Sequence, residues 1–260
     1  MSFSNEEALK RYDASKYRTP DGYTADIAVF TIRSRQSKPF TPPKMDLKLM
    51  LIRRGATDGE GRPNIEAGKW ALPGGFVAPD ETAFEAAMRE LKEETGVDGL
   101  HLKHFGVYDE PGRDPRGWMI SCAHYAIVPE RRLAGRQAND DADAVELVSV
   151  EDALKLELAF DHADIVRDAI AVISRELLET TAAKQFLPET FTYSELQAVL
   201  LTVTDDSAIA SGPAFARKIK SLPFIEEVPG EKTTRTSKKP TQLYRFVDMP
   251  VTRSIYHAVY

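Results

Sequence analysis

A glycine pair, Gly74-Gly75, is followed by Glu81 and then by Arg89, Glu90, Glu93 and Glu94, the densest set of residues in the chain suited to metal chemistry. The run TAFEAAMRELKEET (82–95) starts with a Thr82/Glu85 capping-box pair and is followed by Gly96, so it predicts a helix. At about 100° per residue, Glu90, Glu93 and Glu94 fall within an arc of roughly 100°, while Phe84, Ala87, Met88 and Leu91 form another face. One side packs and the other presents carboxylates. Like charges at i,i+4 cost about a few tenths of a kcal/mol in an isolated helix. A bound divalent cation removes that cost. Oxygen donors without histidine or thiolate favour magnesium, or manganese, over zinc. Magnesium keeps several waters and bridges carboxylates to phosphates, as cleavage of a pyrophosphate bond requires. The competing reading is an acidic surface helix, and the complete spacing of glycine, arginine and four glutamates argues against it.

The elements that must position this helix are visible as periodicity. Five stretches alternate apolar and polar residues with β-branched or aromatic enrichment, at 23–32, 47–54, 100–110, 118–128 and 144–150, and predict strands of one sheet. PFTPPK at 39–44 and the glycine-rich 55–68 are predicted loops. This order predicts an α/β layer architecture. From Asp161 the period becomes helical, with Ile165, Ala169, Val172, Ile173, Leu177 and Leu178 on one stripe until Leu187-Pro188 breaks it. A second helix is expected from Thr192, with Glu195 three residues on, and a third after Ser211-Gly212-Pro213. Strand-like runs at 224–228 and 242–247 then flank a basic loop. Three helices and a basic hairpin are the order of a winged helix-turn-helix. The boundary is placed so that residues 1–160 form the first domain and 161–260 the linker helix and winged domain.

Gly75, Glu81, Arg89-Glu90-Leu91, Glu93-Glu94 and Gly96-Val97 match the Nudix box at every defined position, and the chain resembles the Nudix hydrolases. GKWALPGGFV (68–77), GRDPRGWMIS (112–121) and LAFDH (158–162) resemble the ADP-ribose pyrophosphatases and the Nudix-related transcriptional regulators of NAD metabolism, which carry a C-terminal winged helix. The resemblance implies an α/β/α sandwich with a mixed sheet, followed by a winged helix-turn-helix. It implies magnesium-dependent hydrolysis of ADP-ribose, or a related nucleoside diphosphate sugar, to AMP and ribose 5-phosphate. Alternatively, it implies a transcriptional regulator of NAD or sugar metabolism that uses the Nudix domain as a sensor. By the same resemblance, Glu90 and Glu94 are the main metal ligands, Glu93 assists, the Gly74 carbonyl adds an oxygen, and Arg89 orients a carboxylate such as Glu81. Glu93, Glu94 and Arg89 are then the catalytic set. The base in such families often comes from outside the box, where Glu110, Asp141 and Glu146 are candidates and equally ordinary loop or strand-end acids.

Arg113 and Arg116 suit a diphosphate, because guanidinium forks match phosphate oxygens, or form salt bridges with Asp109 or Asp114. Trp70 and Trp118 suit stacking on a base, or core packing beside strands. In the C-terminal part, Phe215 and Ile219 at i,i+4 should pack inward, leaving Arg217, Lys218 and Lys220 outward on the recognition helix. Lys238 and Lys239 form the expected wing tip, with hydroxyls of Thr233, Thr234, Thr236 and Ser237 around them. Duplex DNA is the expected partner, and two-fold symmetric readers of palindromes predict a homodimer. A dimerisation or substrate-lid domain is the alternative.

Charge supports this only in part. The net charge is -6, but residues 1–164 hold 22 Lys and Arg against 29 Asp and Glu, whereas residues 165–260 hold 12 against 11. The second half tolerates a polyanion, although so weak a balance implies low non-specific affinity. A single cysteine, Cys122, excludes an internal disulfide, and five histidines show no zinc spacing. The first residues, MSFSNEEALKRYD, lack an apolar core for export, and no stretch reaches the ~20 apolar residues of a membrane span, so a cytoplasmic location is expected.

Overall fold

The computed structural model of this chain describes residues 4–36, 38–58, 61–138 and 142–247. After a short capped helix, α1 (Asn5–Arg11), the chain builds a mixed sheet from β1 (Gly22–Arg35), β2 (Lys44–Arg54), β3 (Trp70–Ala71), β4 (Gly74–Phe76), β5 (Lys103–Tyr108), β6 (Met119–Ile127) and β7 (Ala142–Ser149). Strands run in the order β3-β2-β1-β6-β5, with β4 paired to β1 and β7 to β2. Among the described strand pairs, β1–β6 alone is parallel, from Gly22↔Met119 to Phe30↔Ile127. Strand alternation sends Ala25, Ile27 and Val29 to one face and Ala28, Phe30 and Ile32 to the other.

Helix α2 (Ala83–Thr95) covers the first face, burying Ala86, Ala87 and Leu91 against Ala25, Ile27 and Val29. Burial of a side chain the size of Leu91 contributes roughly 1.5–3 kcal/mol. The predicted capping box forms: the Thr82 hydroxyl accepts from the Glu85 N–H at 3.2 Å, and the Glu85 carboxylate accepts from the Thr82 N–H at 2.8 Å. Gly96 ends the helix at φ 68°, a left-handed position glycine takes without strain.

A one-turn helix, α3 (Val150–Ala153), leads to α4 (His162–Glu179), whose Ile165, Val166, Ala169, Ile173 and Leu177 pack on the second face of the sheet. This matches the stripe expected from Asp161. The same apolar cluster continues into the C-terminal region through Phe191, Leu196, Val199, Phe215, Ile219 and Phe224. That region contains α5 (Tyr193–Leu200), α6 (Ser207–Ala210), α7 (Gly212–Lys218) and a hairpin of β8 (Ile225–Thr233) and β9 (Thr241–Phe246). Phe191 and Tyr244 exchange backbone bonds at 2.9 and 2.8 Å, laying the residues before α5 along the hairpin. The architecture is thus the α/β/α sandwich plus winged helix, with several short elements that periodicity missed, α1, β3, β4, α3 and α6. β3, β4 and α6 have two, three and four residues, too few to show a period. Among the described residues, no helix is long and apolar enough to cross a membrane.

Candidate functional site

Strand β4 and the C-terminal half of α2 meet over a cleft of about 600 Å³ whose lining includes Gly74, Gly75, Phe76, Arg89, Glu90 and Glu94. Arg54, Asp58, Asn64, Arg116 and Phe160 line it as well. Two glycines let loop and helix close together. A Cβ on Gly75 would stand 2.2 Å from Glu90 Oε1, and one on Gly74 would stand 2.3 Å from the Ala25 carbonyl. The Gly74 N–H donates to Glu94 Oε2 at 2.8 Å, tying the last helical turn to the loop.

Arg89 organises the acids. It grips Glu81 with Nε at 3.1 Å and Nη2 at 2.6 Å, reaches Glu90 at 2.7 Å and Glu93 at 3.0 Å, and donates to the Phe76 carbonyl at 3.0 Å. The Arg89 bonds and the Ala78 N–H hold the Glu81 carboxyl at about 2, down from 4.5. A carboxyl depressed on folding stabilises above its unfolded value and loses that contribution as pH falls through its folded one. The Glu81–Arg89 strap is therefore complete above about pH 4.5 and lost towards pH 2. Carbon-detected NMR titration is expected to place the Glu81 midpoint near 2, and a midpoint at 4.5 would show the strap absent in solution.

The donors fit a magnesium-type cation. Glu90 and Glu94 face the cleft beside Gly74, and the glycine cradle that receives Glu90 admits no side chain. Among the described residues, no group of three or more His, Cys, Asp or Glu gathers as a metal cluster. Two carboxylates completed by waters and substrate phosphates are a common magnesium arrangement. Glu93 differs from its expected placement: its side chain is 46% exposed, its carboxylate lies on Arg89, and it is outside the cleft lining.

Behind Gly74 lies a buried polar network that the sequence did not reveal. Asp26, in β1, accepts from Ser121 and has His162 Nε2 at 3.5 Å and Arg113 at 3.7 Å. His162 Nδ1 accepts the Leu72 N–H at 2.9 Å, and burial pushes the imidazole below its ordinary pKa, keeping it neutral. Arg113, with 4% of its side chain exposed, closes on Asp161 at 2.6 and 2.7 Å. It therefore braces the 112–118 loop to the start of α4 and does not line the cleft, in contrast to the expected diphosphate contact.

Arg116 does line it. Its guanidinium forms a two-point pair with buried Asp114 and sits 5.0 Å from the Phe76 ring centre and 5.1 Å from that of Phe160. Burial alone would raise the Asp114 carboxyl, but the Arg116 bonds outweigh it and the pKa falls. The salt-bridge reading and the cleft reading of Arg116 thus coexist. Trp70 packs against the core, its carbonyl accepting from the Ala159 N–H at 2.9 Å, and lies outside the cleft. Trp118 is 37% exposed and also outside it. Of the proposed bases, Glu110 and Glu146 do not line the cleft, and Asp141 lies outside the described residues. Arg54, Asn64 and Phe160 escaped sequence reasoning, and the only signal was their place at the ends of the 55–68 loop and in LAFDH.

In the winged region, Phe215 and Ile219 are buried, and Arg217, Lys218 and Lys220 are exposed as expected. Lys220 lies just past α7 and pairs with Glu227 at 3.1 Å. Lys238 and Lys239 are exposed in the turn between β8 and β9. Arg235 folds back onto Glu195 at 2.7 Å and the Thr190 carbonyl at 2.7 Å, fixing the hairpin turn against α5.

Comparison with known proteins places both halves. Residues 31–169 match the NUDIX domain, and residues 183–246 match the NrtR DNA-binding winged helix domain. The chain is 32% identical over 249 residues to the ADPR responsive transcriptional repressor NtrR of Acinetobacter baylyi, covering 95% of this chain and 90% of that protein. It is 42% identical over 123 residues to the ADP-ribose pyrophosphatase of Methanocaldococcus jannaschii, covering 47% of this chain and 66% of that enzyme. The crystal structure of a MutT/nudix family protein from Enterococcus faecalis aligns with a TM-score of 0.64 at 25% identity, covering 94% of each chain. With the loop-helix acids, the mixed sheet and the hairpin all in place, the chain belongs to the Nudix family as a Nudix domain joined to an NrtR-type winged helix domain.

Proposed function

We propose that the protein binds ADP-ribose, or a related nucleoside diphosphate sugar, in the α2 cleft and that occupancy governs DNA binding by the winged domain. The observation that carries this reading is the charge pattern of the cleft. Two carboxylates, Glu90 and Glu94, share the cleft with Arg54 and Arg116, which suits a diphosphate bridged to a cation by the acids and gripped by the guanidinium forks. The repressor of A. baylyi, similar over nearly the full length, supports the regulatory half. A domain division at 160/161, with α4 as the linker helix, is part of the same proposal, as is a homodimer.

A ligand shifts DNA binding only if it favours one arrangement of the two domains, and such couplings are typically ~1–3 kcal/mol, or about 5- to 150-fold. Fluorescence anisotropy of a labelled fragment from upstream of the gene, titrated with and without ADP-ribose, tests this. Superimposable isotherms would sink the sensor reading. Replacing Lys238 and Lys239 by alanine is expected to weaken binding to all sequences and to flatten the salt dependence by roughly one unit per lost phosphate contact. An unchanged salt slope would remove the wing tip from the DNA surface.

A second reading, hydrolysis to AMP and ribose 5-phosphate, is favoured by the intact acidic set. Glu90 and Glu94 would hold magnesium, and Arg89 would keep Glu81 and Glu90 in register. When bound, magnesium supplies charge neutralisation for the diphosphate and a more acidic water. The chain's own work is to fix those carboxylates through Gly74 and Arg89 and to hold the substrate oxygens with Arg116.

A further inference from the structure

Phe160 stands at φ 53°, in the left-handed region where a bulky side chain is uncommon and where glycine would be easier for the backbone. Its neighbours hold it there. The Ala159 N–H donates to the Trp70 carbonyl at 2.9 Å, Asp161 grips Arg113, and His162 accepts the Leu72 N–H. Strain so over-determined is characteristic of functional segments. Its consequence is a half-buried ring in the cleft wall, with Arg54 Cζ 5.3 Å and Arg116 Cζ 5.1 Å from the ring centre. Both guanidiniums are within cation–π range. Each is also anchored on one edge, Arg54 by the Ile65 carbonyl at 2.9 Å and by Asn64, and Arg116 by Asp114. Two like charges are thus gathered around one aromatic ring in the cleft that Glu90 and Glu94 also line.

We infer that Phe160 is a positioning residue for the diphosphate: it acts through Arg54 and Arg116, holding both guanidiniums in place, and does not itself contact the nucleobase. This rests on the reading of the cleft as a nucleoside-diphosphate site. A ring that stacked on the base would serve adenosine and ignore a bare diphosphate. A ring that steadies the arginines serves both equally.

The test is calorimetric titration of the full chain in magnesium with two probes that resist hydrolysis: methylenediphosphonate, and ADP-ribose carrying a methylene bridge between its phosphorus atoms. Phe160→Leu is expected to weaken both probes by the same factor, about three- to thirtyfold. Phe160→Tyr, which keeps the aromatic face, should restore binding, and Phe160→Leu should cost less in an Arg116→Ala background than in the wild type, the remainder being the part carried by Arg54. If Phe160→Leu fails to fold, Phe160→Gly replaces it, because glycine suits the positive φ. Loss of affinity for the ADP-ribose analogue alone would make Phe160 a base-stacking residue and overturn the inference, as would unchanged affinity for both. A wild-type chain that binds methylenediphosphonate but not the analogue would refute the ADP-ribose reading while Phe160 is still judged on the first probe. Binding of neither would overturn both.

Discussion

Glu94→Gln is expected to lower release of AMP from ADP-ribose by on the order of a hundred- to a thousandfold, the scale of removing one charge-stabilising group from a transition state. Glu94 is 2% exposed, and its carboxylate accepts the Gly74 N–H. Glutamine has nearly the same shape and keeps an acceptor for that bond, so loop and helix stay joined while the negative charge disappears. The substitution therefore separates charge from geometry. Chromatography of the products measures the rate, and the melting temperature, expected to change little, measures the fold. Activity within tenfold of wild type would remove Glu94 from the metal site. A wild type that leaves ADP-ribose intact in both magnesium and manganese would end the hydrolysis reading and leave a binding cleft.

The two glycines should fail in different ways. The three atoms nearest an alanine Cβ at Gly75 all belong to the end of the Glu90 side chain, at 2.2 to 2.7 Å. A side chain can swing away, so Gly75→Ala should fold with a small loss of stability, yet displace Glu90 and abolish detectable magnesium-dependent turnover. At Gly74 the obstacles include backbone, the Ala25 carbonyl at 2.3 Å and Asp26 Cα at 2.9 Å, which cannot rotate aside. Gly74→Ala should therefore lower thermal stability by about 1–3 kcal/mol, the usual cost of overpacking, as well as activity. Calorimetric melting beside a magnesium titration distinguishes them. Equal losses of stability would refute the distinction between side chain and backbone.

How legible the molecule was in its sequence depended on whether local chemistry fixed the answer. The α2 helix announced itself through Thr82, Glu85 and Gly96, because capping and a left-handed end are written within a few residues. The winged region was legible for the same reason: Ser211-Gly212-Pro213 opens α7, and the basic turn divides β8 from β9. The cleft wall was not. Arg113 and Arg116 have the same type three positions apart in a loop without period, and partners far along the chain set their roles apart, Asp161 for one and Phe76 with Phe160 for the other. Arg54 looked like the polar end of a strand, and Asp26 like one polar step in an alternating run. Both acquire meaning only when residues about a hundred positions later are folded against them.

The bond from the Leu72 N–H to His162 Nδ1 joins the segment that leads into the glycine loop to the first residue of α4, and α4 continues towards the winged domain. An amide so buried exchanges its proton with solvent only when the structure around it opens. Leu72 cannot be exposed without either lifting the first turn of α4 or turning the His162 ring away from the sheet. Its deuterium uptake is therefore a single-site gauge of whether α4 is seated on the Nudix sheet, and it reads that seating whether the cleft is filled or empty.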